Sequence, residues 1–236
     1  MKVVDPRQPK ELLPVGSKPA IQYTLEEGID AGVERFFVVI SEQKEIIRRR
    51  LSRQASPITY LYQQQPRGEI DAIALAGPLL EGCDFGIIYP DNLYLPAPGA
   101  LKRLVQAYDK YARDVVALSP VNRRNAGDTS NSGRVDLSHL EGDIYRVLRL
   151  HEKGPGPFAL RFPQELRACG MMVTGAHFFD AVRQVRPDSS EGEFTDGPVR
   201  SMILEKRGLL GVRLPGCVFD IGNPAGYASC VRKYKN

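Results

Sequence analysis

The chain has 236 residues, 42% of them hydrophobic, which suffices for one large domain or two small ones with a full core. Its 32 basic and 28 acidic residues leave a formal net charge of +4, too small and too evenly interleaved for a nucleic-acid surface. Four scattered cysteines without C-x-x-C spacing, three histidines without metal-ligand spacing, and no apolar run of roughly 18 to 20 residues argue against a disulfide framework, a zinc site and a membrane-spanning helix.

The expectation is a soluble cytoplasmic protein, since nothing at the N terminus reads as a secretory segment and the thiols suit a reducing compartment. Ser17, Lys18 and Pro19 read as a helix start, with a capping-type serine and an early proline, and Ile21, Leu25 and Ile29 recur at helical spacing up to Gly32. Residues 35–40 form a β-branched and aromatic run suited to a buried strand. Residues 43–53 predict a charged helix whose basic run, 48–50, is a solvated face. Residues 58–63 predict a strand, 70–80 a helix, 85–89 a strand that runs into Pro90, Asp91 and Asn92, 99–111 a helix and 115–119 a strand. Strands separated by helices of this length are βαβ units, so an α/β fold with a mostly parallel central sheet flanked by helices is expected. The polar, glycine-bearing stretch 123–132 reads as an exposed loop, and 133–136 and 144–148 as strands of a smaller mixed β layer. A single domain over 1–236 is expected, with halves 1–120 and 121–236.

Ligands of such sheets bind beyond the carboxyl ends of the strands, which singles out Ser41, residues 63–68 and Asp91. Asp91 follows a hydrophobic strand and a proline, where an α/β enzyme presents a carboxylate to a bound ion; capping of the next helix is the plainer alternative. Lys10 sits in an apolar turn framed by Pro9 and Pro14, and lysine is a point charge suited to phosphate.

The stretch from Pro9 to Tyr23 resembles the second half of the nucleotidyltransferase signature of sugar-nucleotide pyrophosphorylases. Ile21-Gln22-Tyr23 is similar to the bacterial UTP:glucose-1-phosphate uridylyltransferase branch. The resemblance implies a Rossmann-like nucleotidyltransferase fold, with a nucleotide-binding first half and a sugar-binding second half. It gives Lys10 a catalytic contact to phosphates, and makes Asp91 catalytic and, with Asp220, a ligand of Mg²⁺. Gln63 and Gly68, in Gln63-Gln64-Gln65-Pro66-Arg67-Gly68, are similar to the base-reading segment; an amide matches both donor and acceptor of a uracil edge. His151-Glu152-Lys153 and Ala168-Cys169-Gly170-Met171 resemble sugar-binding elements of the family, which implies that Glu152 accepts from sugar hydroxyls, Lys153 pairs with the sugar phosphate and Gly170 lets the backbone approach the sugar; an exposed salt-bridging pair is the plainer alternative for Glu152 and Lys153. Glu193 belongs to the substrate-binding element Gly192-Glu193-Phe194-Thr195-Asp196, in which Thr195 or Asp196 also suits a helix cap.

Two departures stand out. Glu69 and Ile70 follow Gly68 where the family carries a small residue, and Gly154 follows Lys153 in place of a proline. The family also opens with a buried strand and a glycine-rich loop bearing an arginine, for which residues 1–8 leave no room. The implied activity is nucleotidyl transfer from UTP or dTTP to a sugar-1-phosphate, glucose-1-phosphate first. The alternative is a non-catalytic sugar-nucleotide binder. A glycosyltransferase ranks last, because Asp91-Asn92-Leu93 lacks a paired Asp-x-Asp. The expected partners are small-molecule substrates and further copies of the chain in a homo-oligomer, with no nucleic acid and no membrane.

Overall fold

The computed structural model describes residues 8–52, 57–65, 67–185 and 194–235. A 3-10 turn at Lys10–Leu12 leads into a hairpin of β1 (Pro14–Val15) and β2 (Lys18–Pro19), followed by α1 (Ala20–Asp30). The helix starts after Pro19 rather than at Ser17: pairing of Pro14 with Pro19 and Val15 with Lys18 puts Ser17 in the hairpin turn. Next come β3 (Phe36–Ile40), α2 (Glu45–Leu51), β4 (Ile58–Tyr62) and α3 (Glu69–Ala74). The helix expected over 70–80 stops early and gives way to a 3-10 turn at Gly77–Leu79, because Pro78 has no N–H to extend the α-helical ladder.

The strands β5 (Phe85–Ile88) and β6 (Asn92–Leu95) flank Asp91, and α4 (Ala100–Tyr111) and β7 (Val115–Asn122) follow. The hairpin of β8 (Val135–Glu141) and β9 (Ile144–Leu150) precedes the long β10 (Gln164–Thr174). After α5 (His177–Val185) come α6 (Gly197–Arg207), β11 (Leu210–Arg213), β12 (Cys217–Asp220) and α7 (Pro224–Lys235).

Six strands form the central sheet in the order β5-β10-β7-β11-β9-β8. The helix-flanked α/β class is as expected, but the sheet is mixed rather than mostly parallel. Within it only β7 and β11 run parallel, and β10 lies antiparallel between β5 and β7. Residues 167–174 of β10 are all buried. A strand covered on both faces reads as one apolar run whatever its direction, so hydrophobic patterning does not disclose the reversal. The sheet thus combines β5 and β7 with four strands from later in the chain.

The parallel pair β3 and β4 is separate. Phe37 and Leu61 pack on the core cluster of Ile87, Leu118, Met172 and Phe178. Among the described residues no backbone ladder joins β3 to β5, so each is an edge strand on one side. β3 is wholly apolar, Phe-Phe-Val-Val-Ile, with its first four residues only half-buried, unlike the short or charged edges that proteins usually expose.

Glu27 fixes α1 to α4. It is 2% exposed, and its Oε2 accepts the N–H groups of Gly99 and Leu101, both at 3.0 Å. A carboxylate there satisfies donors that the helix start leaves free and faces the positive end of the helix dipole. Burial raises the Glu27 pKa, against the lowering effect of those bonds. Through this contact the segment bearing Lys10 and the one bearing β6 keep a fixed relation. Glu27→Ala is expected to cost about 2 to 3 kcal/mol by leaving these donors unpaired, read as a lower urea midpoint. An unchanged midpoint would show that the contact is not structural.

Candidate active site

Asp91 occupies the turn between β5 and β6, held from two sides. The Tyr89 N–H donates to the Gly170 carbonyl and the Ile221 N–H to the Asp91 carbonyl, both at 2.8 Å. Strand β12 pairs antiparallel with β6 and sets Asp220 opposite Asn92. A Cβ on Gly222 would lie 3.2 Å from Asp220 Oδ1 and 3.3 Å from Asp91 Oδ2, so these oxygens are no more than about 6.5 Å apart, the sum of those distances. Lys10 Nζ donates to Asp91 Oδ2. Burial works against the Lys10 ammonium, but Asp91, with Glu11 and Asp220 adding to it, raises its pKa. The structure thus brings Lys10, Asp91 and Asp220 together from the two ends of the sequence.

Gly170 belongs to the same cluster. Its φ is +61°, at an irregularity of β10 between Ala168 and Met172, and a Cβ there would sit 2.6 Å from Asn92 Cβ. The missing side chain therefore makes room for the turn that carries Asp91, a closer reason for glycine than approach of a ligand.

A second cluster forms around Gln63 and Gly68. Gln63 follows β4; its N–H donates to the Ile40 carbonyl at 2.9 Å and its Nε2 to the Gly68 carbonyl at 3.1 Å. Gly68 has φ +118°, and a Cβ would lie 2.4 Å from the Phe194 carbonyl oxygen. Two backbone bonds stitch these segments: Phe194 N–H to Arg67 O at 2.8 Å and Ile70 N–H to Phe194 O at 3.2 Å. The Asp196 N–H donates to Glu69 Oε1 at 2.8 Å, while the Asp196 carboxylate accepts from Tyr89 Oη at 3.0 Å and pairs with Arg200. Asp196 stands at the start of α6 without making a side-chain cap bond, because its carboxylate is committed to this network; Thr195 is exposed. Tyr89 precedes Asp91 by two residues, so the end of β5 touches both clusters.

Glu152 and Lys153 are exposed in the segment after β9, and no hydrogen bond or ion pair joins them to the Asp91 cluster among the described residues. That segment is anchored by the Gly154 N–H on Asn131 O at 2.8 Å and by His151 on Asp136 at 2.9 Å. Glu193 lies outside the described residues. A surface cleft of about 380 Å³ beside Tyr111, Arg113 and Arg146 lies against β9 and β11 and has none of these residues in its lining.

Sequence reasoning misses the Glu69, Tyr89, Asp196 and Arg200 network. Only the four-residue spacing of Asp196 and Arg200 is a readable signal, as an ion pair on one helix face. Burial first, then the nearby Asp196 carboxylate, push the Glu69 pKa from an ordinary 4.5 to about 7. A carboxyl group with a raised folded pKa binds more protons folded than unfolded, so its contribution is present at low pH and is lost as pH rises towards 7. Glu69→Gln, which keeps an acceptor for the Asp196 N–H, is expected to flatten that decline. Urea midpoints of both proteins from pH 5 to 8 test this; parallel curves would contradict it.

A lysine and two aspartates thus meet beside the end of β5 in a helix-flanked α/β protein. The family model described as "Nucleotidyl transferase" matches residues 6–236, and the chain belongs to that family. It is 27% identical over 244 residues to the UTP--glucose-1-phosphate uridylyltransferase YngB of Bacillus subtilis (strain 168), covering 93% of this chain and 80% of that protein. It is 26% identical over 247 residues to a UTP--glucose-1-phosphate uridylyltransferase of Pseudomonas aeruginosa strain PAO1, covering 93% and 85%. Among solved structures, UDP-glucose pyrophosphorylase complexed with UDP-glucose superposes with a TM-score of 0.80 at 22% identity, covering 96% of this chain and 90% of that one. UTP-bound UGPase from Acinetobacter baumannii gives 0.77 at 21% identity, covering 96% and 86%. At these identities the structural matches speak for the fold.

Proposed function

We propose that the protein is a UTP:glucose-1-phosphate uridylyltransferase acting in the cytoplasm. A phosphate oxygen of the sugar-1-phosphate attacks the α-phosphorus of UTP, the bond to the β-phosphate oxygen breaks, and pyrophosphate leaves. The observation that carries this reading is the meeting of Lys10, Asp91 and Asp220 beside the turn after β5, in a chain of the nucleotidyl transferase family.

The chain's own residues supply position and charge. Lys10 balances phosphate charge, Gln63 and the loop at Gly68 face the uracil ring, and Glu152 and Lys153 hold the sugar and its phosphate. Glu193 is assigned to substrate binding by the resemblance. The donor set, two carboxylates offering hard oxygen ligands, suits Mg²⁺. Mg²⁺ binds through one or two carboxylates and takes its remaining ligands from phosphates and water. Asp91 and Asp220 would hold the ion, which when bound supplies neutralisation of charge on the α-phosphate and the leaving group. The exposure of Glu152 and Lys153 suits residues that meet a partner only when sugar is present.

Replacing Asp91 with alanine is expected to lower pyrophosphate release from UTP and glucose-1-phosphate by at least ~10³-fold while circular dichroism stays unchanged. A folded variant with undiminished turnover would remove Asp91 from the mechanism.

A further inference from the structure

We infer that the Lys10 ammonium and a divalent cation are alternative occupants of the Asp91 and Asp220 pair, so that cation binding releases Lys10 to the substrate phosphates. This rests on the reading of the two aspartates as the cation-holding pair, and adds a competition that the lysine imposes on it.

The argument begins with which oxygens are free. Asp91 Oδ1 accepts the Asn92 side-chain amide at 3.0 Å, and Asp220 Oδ1 accepts the Gly222 N–H at 3.2 Å. The remaining oxygen of Asp91, Oδ2, lies on the side of Asp220 Oδ1 and is the one that Lys10 holds. An ion ligated by both aspartates at roughly 2.1 Å from each oxygen needs that same Oδ2. Ammonium and divalent ion would then stand within a few ångströms of each other in a half-buried place, and like charges that close repel.

Charge balance points the same way. Two carboxylates with one ammonium leave an excess negative charge, whereas two carboxylates with one divalent ion are neutral and have no further call on a lysine. Lys10 is able to leave: it stands on a three-residue 3-10 turn, its side chain is 38% exposed, and its four-carbon stem swings without backbone movement. The displaced ammonium has lost its carboxylate partner and attracts a phosphate group. Metal and phosphate binding are therefore coupled through one side chain, each favouring the other.

The test measures Mn²⁺ binding to the full chain without nucleotide, from the electron paramagnetic resonance signal of free Mn²⁺. Lys10→Met is expected to bind Mn²⁺ about 5- to 10-fold more tightly than the native chain, and adding Asp220→Asn to that variant should abolish the gain. Lys10→Gln serves as a second neutral variant should the methionine disturb folding, which urea midpoints report. Equal or weaker Mn²⁺ binding in both folded Lys10 variants, with Asp220→Asn still weakening the native protein, would overturn the competition and leave the metal reading intact. Binding indifferent to Asp91→Asn and Asp220→Asn alike would overturn the metal reading and this inference with it.

Discussion

The candidate site depends on a close approach of two backbones. At position 170 the chain turns through φ +61° and a Cβ would lie 2.6 Å from Asn92 Cβ, so only glycine meets both demands without strain. From this contact the rest follows in order. The Gly170 carbonyl receives the Tyr89 N–H and fixes the end of β5; Asp91 then turns outward; Asn92 begins β6; and β6 gives β12 the edge on which Asp220 is aligned. Residues from the middle and the far end of the chain thereby share one corner with Lys10.

Two electrostatic arrangements lie on either side of that turn, and they differ in kind. At Asp91 and Asp220 two carboxylates face a single half-exposed lysine, which leaves one negative charge uncompensated among these three groups. At Glu69 and Asp196 the charges are enclosed with Tyr89 and Arg200, and burial keeps the Glu69 carboxyl protonated up to about 7. The first arrangement suits chemistry with mobile cations and phosphates. The second holds the loop at Gly68 against the segment leading into α6.

Much of the fold is readable from the residues. Phe36–Ile40, Phe85–Ile88 and Val115–Asn122 announce themselves as strands by apolar and β-branched runs, and Asp91 by its place after one. The direction of β10 is not readable, because a strand buried on both faces carries no mark of which neighbour it opposes. The break at Pro78 was open to view in the sequence, since proline removes a donor, whereas the start of α1 was not, because a hairpin too short to show periodicity displaces the Ser17 cap. Lys10, Asp91 and Asp220 were legible as residues, but their meeting was not: it rests on the pairing of β6 with β12 across most of the chain. The Glu69 network was hidden for the same reason, since the Asp196 N–H that it accepts comes from a remote segment.

The central claim is that these residues form a centre for reversible uridylyl transfer, and exchange of labelled pyrophosphate into UTP in the presence of UDP-glucose and Mg²⁺ tests it most directly. The account calls for label in UTP that requires both UDP-glucose and the cation and is lost with Asp91→Ala. A folded protein that binds UDP-glucose yet moves no label would contradict it and leave a sugar-nucleotide-binding relative without the reaction.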